Sequence, residues 1–334
     1  MSAGELAGWT PVALNLQHPT PSIDWGDFGS LRFTEPFFEE TVSRWAATNP
    51  APQMVRTDLD ALAVLDQAPS LDPSGLIFHL SRCGSTLLAR LLRQVPGCLV
   101  ISEPDSINSL LVADKTIVNE KTQVRLLRLL IRALGRCRFG DERHYVVKLS
   151  SWNVRKLDLF RRAFPAAPLV WVQRRPAEVM MSLLARPPQW LQLQSDPKLA
   201  GALFDIAPEE MKALEPAAFY ARALAALLKA AWAQASGELP TIEYANLPEI
   251  AWTTVAPLFG LSLNARDVSR MEAEARYYSK DLSPRVFSRN ILGYGAIPES
   301  IRLLAAEHLD ALYSELSGRR ASTLGLPRSS VSQE

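Results

Sequence analysis

The strongest constraint on the fold is an alternation of short aliphatic runs with longer amphipathic segments, which begins at Gly75. The runs predict strands, and the segments between them repeat apolar residues at helical spacing. Strands that alternate with helices in this way indicate an α/β protein with a parallel sheet covered on both faces. The predicted strands span 75–80, 98–102, 145–149, 169–173 and 240–244, and the predicted helices span 85–94, 121–138, 153–164, 176–184 and 209–235.

The pattern changes at both ends of this alternation. Residues 1–70 are rich in proline and tryptophan, which predicts an irregular but ordered arm packed on the domain, since the segment is too aromatic for disorder. Beyond residue 247 the periodicity indicates helices over roughly 248–259, 265–277 and 298–317. We therefore predict an N-terminal arm over 1–70, one domain with about five parallel strands over 71–318, and a flexible tail over 319–334.

Charge is distributed unevenly along the chain, although the net charge is only +1. Residues 1–80 have a net charge of −7, residues 81–186 of +11 and residues 187–334 of −3. The basic segment is where a phosphate-rich ligand is expected. Four of its arginines recur at helical spacing and predict a solvated helix face: Arg125, Arg128, Arg132 and Arg136.

Several classes of protein do not fit this sequence. Three cysteines are too few for a disulfide framework and favour a reducing compartment. No basic and apolar leader begins the chain, and Arg222 and Lys229 interrupt its longest apolar stretch, 217–235, so we expect a cytoplasmic protein without a membrane span. Cysteine and histidine spacing predicts no metal site, and no nucleic-acid-binding module is present.

The segment 81–86 joins the first predicted strand to a helix and has the composition of an anion-binding loop. Unpaired N–H groups at the start of a helix favour negative charge, Gly84 allows close approach of a ligand, and Arg82 presents a planar fork of donors. Ser85 stands where the nucleotide triphosphatase loop requires lysine, so that pattern is absent. A simple capped turn between strand and helix is the structural alternative.

Two separate elements resemble those of sulfotransferases that use 3′-phosphoadenosine 5′-phosphosulfate (PAPS). The first is Ser81-Arg82-Cys83-Gly84-Ser85-Thr86-Leu87-Leu88, which is similar to the 5′-phosphosulfate loop of the branch with arginine in the loop. The second follows the fourth strand and is similar to the 3′-phosphate element, with Arg174, Pro176, Glu178, Val179 and Ser182. The resemblance covers about 75–294 and implies a three-layer P-loop-type fold.

The resemblance also implies roles for individual residues in donor binding. Five residues would bind the 5′ end of the donor: Arg82, Cys83, Gly84, Ser85 and Thr86. Arg174 and Ser182 would hold the 3′-phosphate, which ATP lacks. Tyr244 would contact the nucleotide, and Arg289 or Arg285 would cover the 3′-phosphate. The segment 186–208 would form a lid near the acceptor, or else an ordinary long loop.

The expected catalytic residues follow the second and third strands. Lys148 lies at the end of the third strand, where a cation can offset charge on the leaving nucleotide together with Arg82. Animal-type enzymes place a histidine base two residues further on, and Ser150 occupies that position here. Some sulfotransferases instead place a glutamate base after the second strand, which corresponds to Glu103, with Asp105 as the second choice.

The resemblance implies transfer of a sulfuryl group from PAPS to a hydroxyl or amine, with release of 3′-phosphoadenosine 5′-phosphate (PAP). The acceptor would be a small molecule, a glycan or a peptide, and the chemistry of the family does not need a metal. An ATP-dependent small-molecule kinase of related P-loop fold and a non-catalytic nucleotide-binding module are the alternatives. Neither the acceptor nor the oligomeric state is encoded in a readable pattern.

Overall fold

A computed structural model describes residues 6, 8–16, 20–49, 52–66, 69–187, 196–234, 239–277 and 296–323. Eight strands lie in this part of the chain: β1 (Trp9–Asn15), β2 (Ser22–Asp27), β3 (Met54–Thr57), β4 (Gly75–His79), β5 (Cys98–Ser102), β6 (His144–Lys148), β7 (Leu169–Gln173) and β8 (Thr241–Glu243).

Helices account for most of the remaining described residues. The α-helices are α1 (Phe38–Thr48), α2 (Asp60–Leu65), α3 (Ser85–Arg93), α4 (Asp105–Leu111), α5 (Glu120–Leu134), α6 (Leu157–Ala163), α7 (Pro176–Ala185), α8 (Pro197–Phe204), α9 (Pro208–Ala213), α10 (Pro216–Gln234), α11 (Ala256–Leu258), α12 (Ala265–Ala275), α13 (Glu299–His308) and α14 (Asp310–Thr323). Short 3₁₀ turns span Ser151–Lys156 and Tyr244–Asn246, and a π-helical turn spans Ala251–Val255. No helix among these is long and apolar enough to cross a membrane.

Five strands form one sheet in the order β5-β6-β4-β7-β8. The pairs β5–β6, β4–β6 and β7–β8 are parallel. Every residue of β4 and β7 is buried, as is expected of strands covered on both faces. The predicted α/β class with a central sheet of five strands is confirmed, and each of these strands lies within one residue of its predicted bounds.

Several helix predictions differ from the structure. The helix expected over roughly 298–317 is two helices, α13 and α14, which meet at Leu309, and the helix expected over 121–138 ends at Leu134. The continuous helix expected over 209–235 is two helices, α9 and α10, because Pro216 cannot donate the hydrogen bond that would continue the first. Helix α4 was not predicted, since its seven residues offer only two turns of periodicity.

The expectation of an irregular arm over residues 1–70 is wrong. Strands β1, β2 and β3 form an antiparallel sheet in that order. Pro11 does not prevent this, because it lies in the edge strand β1 beside a shift in register between Pro11 and Ala13. The indole of Trp25 in the middle strand is fully buried and donates to Thr57 Oγ1 over 2.9 Å. Aromatic burial therefore organises this segment as a sheet.

The chain divides into two compact units. The first unit comprises Met1–Ile77, Thr86–Pro168 and Pro248–Phe287, and the second comprises Phe78–Ser85, Leu169–Leu247 and Ser288–Glu334. The division into an arm, one domain and a tail at residues 70 and 318 stays a prediction.

Arginines of the basic segment bind the N-terminal residues within the first unit. Arg136 is buried and donates to the carbonyl of Leu6 over 3.0 Å. Arg132 pairs with Asp66 and Asp72, each over 2.5 Å. The expectation that the whole arginine stripe is solvated is therefore wrong for these two residues, because acidic and carbonyl groups of the N-terminal segment cover them. Arg125 and Arg128 are exposed, as expected.

Candidate active site

The backbone is strained at the ends of two sheet strands. Four described residues other than glycine have a left-handed φ: Ser81 (78°), Arg82 (48°), Glu103 (52°) and Asp205 (56°). Three of them lie within three residues of the end of β4 or β5. Such conformations cost about 1–3 kcal/mol each and persist only where the surroundings enforce them, typically at functional sites. The strain therefore points to the loops after β4 and β5.

The loop after β4 is held by short contacts within the second unit. The Ser81 N–H donates to His79 Nδ1 over 3.0 Å, and the Cys83 thiol donates to the carbonyl of Val172 over 3.2 Å. Cys83 is completely buried, so only its backbone can serve an anion. A guanidinium N–H of Arg82 donates to the carbonyl of Arg186. The loop is thus closely packed around a core-facing thiol.

Gly84 cannot be replaced without disturbing this loop. Its φ is 85°, and a Cβ atom there would lie 2.7 Å from both the Tyr244 ring and the Leu247 side chain. The sequence analysis expects a glycine here because it allows a ligand to approach the backbone closely. The structure adds a second reason, since a larger residue would overlap Tyr244 and Leu247. Helix α3 begins at Ser85, and the Ser85 and Thr86 side chains are both buried. The loop therefore ends at a helix N-terminus, where N–H groups favour an anion.

Arg174 lies directly after β7 with its guanidinium clamped between two neighbours in the second unit. Its Nε is 2.7 Å from Glu178 Oε2, and its Cζ lies 4.4 Å from the centroid of the Tyr244 ring. Helix α7 begins at Pro176, which places Glu178 in its first turn and half-buried Ser182 about two turns along. The predicted residues Arg174 and Tyr244 are thus brought together, and the acidic position of the motif orients the arginine.

Glu103 and Lys148 form an ion pair at the ends of β5 and β6 in the first unit. The Lys148 ammonium is completely buried and donates to Glu103 Oε1, while a quarter of the Glu103 side chain is exposed. The Glu103 N–H also donates to the carbonyl of Lys148 over 2.7 Å. A buried ammonium requires such a counter-charge. The two residues that sequence analysis assigned to separate roles therefore contact each other.

Asp105, the second choice for the base, and Ser150, which occupies the histidine position of animal-type enzymes, have structural contacts. Asp105 is exposed, begins α4 and accepts a hydrogen bond from Asn108 Nδ2 over 3.3 Å. Ser150 is buried and accepts from the same amide over 3.1 Å, while its N–H donates to Asn153 Oδ1 over 2.9 Å. Ser150 thus fixes the turn after β6.

Some predicted residues lie outside the described part of the chain. These are Arg285 and Arg289, together with residues 188–195 of the predicted lid. The later part of that segment contains α8 and the beginning of α9.

Sequence reasoning missed two residues beside the Lys148–Glu103 pair. The ring centroid of Phe37 lies 5.1 Å from Lys148 Nζ. Glu39 Oε1 accepts a hydrogen bond from the Asp105 N–H over 3.1 Å, and burial together with the charge of Asp105 raises the pKa of Glu39 to about 7. Both residues lie in the segment that was expected to be an irregular arm, and no motif marks them.

The described side chains offer two kinds of chemistry. The loop after β4 and the clamped Arg174 present N–H groups and a guanidinium, which bind oxyanions. The Lys148–Glu103 pair presents a partly exposed carboxylate, which can accept a proton. Within the described ranges, no group of three or more His, Cys, Asp or Glu side chains is placed to hold a metal ion.

Comparison with known proteins finds similarity among solved structures alone. No protein-family model matches the chain, and no curated protein is similar to it in sequence. A sulfotransferase from Mycobacterium avium matches with a TM-score of 0.42 and 14% identity, over 75% of this chain and 79% of that one. A sulfotransferase from Alicyclobacillus acidocaldarius matches with a TM-score of 0.37 and 17% identity, over 77% of this chain and 97% of that one. Over about three quarters of its length, the chain is thus similar to two solved bacterial sulfotransferases.

Proposed function

We propose that the protein is a sulfotransferase that moves a sulfuryl group from PAPS to a hydroxyl or amine and releases PAP. The observation that carries this proposal is the clamp on Arg174. Glu178 and Tyr244 hold this guanidinium at the end of β7, inside the element whose sequence is similar to the 3′-phosphate element of sulfotransferases. A guanidinium oriented in advance loses little freedom when it binds a phosphate.

The loop after β4 supports a donor site for the 5′ end. Left-handed φ values at Ser81, Arg82 and Gly84 curl the backbone just before the N-terminus of α3, and curled backbone of this kind makes concave anion sites. Cys83 would contribute its N–H, since its thiol donates a hydrogen bond to the carbonyl of Val172. The remaining donor ligands in this proposal are Ser85, Thr86, Ser182 and Tyr244, with Arg289 as a further candidate.

The proposed reaction is a displacement at sulfur. The bond from sulfur to the phosphate oxygen of the donor breaks as a bond from sulfur to the acceptor oxygen or nitrogen forms, and the acceptor proton passes to Glu103. Lys148 and Arg82 offset the negative charge that develops on the released nucleotide. Because Lys148 binds Glu103 directly, it also orients this carboxylate before the acceptor arrives.

Isothermal titration calorimetry tests the donor site. We expect PAP to bind at least about tenfold more tightly than ATP, because a charge-assisted hydrogen bond to the 3′-phosphate contributes roughly 1.5–3 kcal/mol. Arg174→Ala should weaken PAP binding by about 10- to 100-fold, and Arg175→Ala is the matched control because Arg175 is exposed. ATP binding as tight as PAP binding would favour the alternative function of an ATP-dependent small-molecule kinase.

Transfer itself is tested with [³⁵S]PAPS and fractionated cell extract. We expect a labelled product whose mass exceeds that of its acceptor by one sulfuryl group. Tight PAP binding without any labelled product across such fractions would favour the non-catalytic nucleotide-binding module.

A further inference from the structure

The first turn of α1 reaches the surroundings of both members of the Lys148–Glu103 pair. Phe37 precedes α1, and its ring lies 5.1 Å from the Lys148 ammonium. Glu39, in the first turn, accepts the hydrogen bond from the Asp105 N–H, two residues after Glu103. One short segment, more than sixty residues away in sequence, thus contacts the cation and the turn that carries the carboxylate.

This turn is itself held firmly in place. Glu35 is buried, accepts from the Thr41 hydroxyl over 2.6 Å and pairs with Arg44 Nε over 2.7 Å. The Phe37 carbonyl accepts from the Glu40 N–H over 3.2 Å, and the Glu40 carboxylate bonds back to the Phe37 backbone. The backbone on both sides of Phe37 is therefore fixed, so its ring has a defined position over Lys148.

The Phe37 ring changes the environment of the ammonium in two ways. An aromatic face attracts a cation within about 6 Å of its centroid. The ring also covers a side from which water would otherwise solvate Lys148, which is completely buried. Exclusion of water lowers the local dielectric constant and strengthens the attraction between Lys148 and Glu103.

Glu39 acts on the other member of the pair through the backbone. Glu103 has a left-handed φ of 52°, a conformation that a glutamate leaves unless its neighbours hold it. Its N–H donates to Lys148, and the Asp105 N–H donates to Glu39. The strained residue is therefore secured on its own N–H and on the N–H two residues later.

We propose that Phe37 and Glu39 are positioning residues of the active site, with Phe37 holding the Lys148 ammonium against Glu103 and Glu39 holding the turn that carries Glu103. The catalytic meaning of this assignment rests on the proposed sulfuryl transfer. The positioning itself does not, and it can be measured without an acceptor.

Nuclear magnetic resonance of [¹³Cε]lysine-labelled protein tests the positioning. The Lys148 signal, identified by its absence from Lys148→Arg, should be displaced by the ring current of Phe37. Phe37→Leu should remove that displacement, and Phe37→Tyr should retain it. Phe38→Leu is the matched control, because the Phe38 ring is buried beside Phe28 and Phe33 in the same segment. An unchanged Lys148 signal in Phe37→Leu, or the same change in Phe38→Leu, would overturn the assignment.

Steady-state kinetics then tests the consequence for catalysis. Phe37→Leu and Glu39→Ala should each lower kcat by about tenfold or more, while the KM for PAPS and the affinity for PAP stay within about threefold. Glu39→Gln keeps the acceptor oxygen for the Asp105 N–H and should retain most of kcat. Phe37→Tyr should restore most of kcat. Equal kcat values in wild type and Phe37→Leu would contradict the proposed role. A wild type that transfers no sulfate would instead contradict the proposed function, and the Lys148 signal would still decide the positioning.

Discussion

At the residue scale, the candidate site depends on a few side chains whose partners give them their properties. Lys148 is fully buried and Glu103 is partly exposed, so the pair combines a cation that is shielded from solvent with a carboxylate that solvent can reach. Arg174 is similarly oriented by Glu178 and Tyr244. These contacts join residues from different sequence motifs. The exception is the pair of Arg174 and Glu178, which belong to the same motif.

Replacement of Glu103 by glutamine should separate catalysis from donor binding. We expect transfer activity to fall by about 10²–10⁴-fold, the usual contribution of a general base, while PAP affinity changes little. The variant should also lose about 3–5 kcal/mol of unfolding free energy, because the buried Lys148 ammonium loses its counter-charge. Calorimetry, denaturant unfolding and the [³⁵S]PAPS assay measure these quantities.

Asp105→Asn is the matched control for that variant, since Asp105 is exposed and lies two residues away. Activity that persists in Glu103→Gln and disappears in Asp105→Asn would move the base to Asp105.

Replacement of Gly84 by alanine should affect the loop more than strain alone would. Alanine at a left-handed φ costs about 1–2 kcal/mol, and Gly140→Ala measures this cost by itself because Gly140 has a φ of 77° and open space around its Cα. At Gly84 the Cβ would also overlap Tyr244 and Leu247, which adds about 1–3 kcal/mol and displaces the loop. We expect PAP affinity to fall by about tenfold or more in Gly84→Ala alone, and equal effects of the two substitutions would contradict this reasoning.

At the element scale, the ends of β7 and β8 are tied to α14 by a partly buried polar network. Glu243 at the end of β8 accepts hydrogen bonds from Tyr313, Ser317 and Gln173 over 2.7–2.8 Å. Gln173 directly precedes Arg174 and Glu243 directly precedes Tyr244, so the network fixes the strand ends from which both side chains project.

Removal of the Tyr313 hydroxyl should loosen those strand ends. Tyr313→Phe takes one donor from a partly buried carboxylate, and we expect a loss of about 1.5–3 kcal/mol in unfolding free energy and a weaker affinity for PAP. Denaturant unfolding and calorimetry measure the two effects. Tyr277→Phe, at an exposed tyrosine, should change neither quantity. If Tyr313→Phe also leaves the unfolding free energy and the PAP affinity unchanged, the network does not hold the strand ends in place.

The contact between α1 and α4 should make stability depend on pH. The pKa of Glu39 is raised to about 7 in the folded protein, so the native state binds more protons than the unfolded state between about pH 4.5 and 7. This carboxyl therefore contributes stability below pH 4.5 that is lost as the pH rises through 7. Glu39→Gln should gain stability relative to wild type across that window, on the order of 1 kcal/mol after allowance for solvent screening. A difference between the two proteins that does not vary with pH would contradict the assignment.

At the scale of the whole molecule, the uneven charge distribution stabilises the fold, in addition to its expected role in binding a phosphate-rich ligand. Acidic and carbonyl groups of the N-terminal residues bind arginines of the basic segment in the first unit. Examples are the pairs of Arg132 with Asp66 and Asp72, and the hydrogen bonds from Arg138 to the carbonyls of Gly29 and Leu31. A net charge of +1 therefore conceals opposite charges that attract each other, and part of the basic segment is already neutralised within the protein.

Removal of one of these cations should make stability less sensitive to salt. Arg132→Gln should lower the unfolding free energy by about 1 kcal/mol at low ionic strength and by less in 0.5 M sodium chloride, because salt screens the two half-exposed pairs. Arg128→Gln is the control on the same helix, since Arg128 is exposed. Urea unfolding at the two salt concentrations measures the difference, and the same loss at both would show that packing and not charge is responsible.

Patterns within short stretches of sequence determined the α/β class, the five strands of the central sheet and the motif residues around Arg82 and Arg174. Strand and helix periods and the turns between them are local properties, so each can be recognised within about twenty residues. The N-terminal sheet was missed because its proline content masked the strand signal, and its pairing joins residues up to 34 positions apart, such as Ile23 and Thr57.

Only the tertiary structure decided which functional side chains meet. Glu103 and Lys148 are 45 residues apart, and Glu39 is 66 residues from the turn that it supports. Their contacts arise from the packing of separate elements, and no local period encodes such packing. The sequence thus determined the fold class and suggested which residues carry chemistry. Burial and packing decided which side chains meet, since Phe37 lies over Lys148, Lys148 pairs with Glu103, and Glu39 accepts a hydrogen bond from the turn after Glu103.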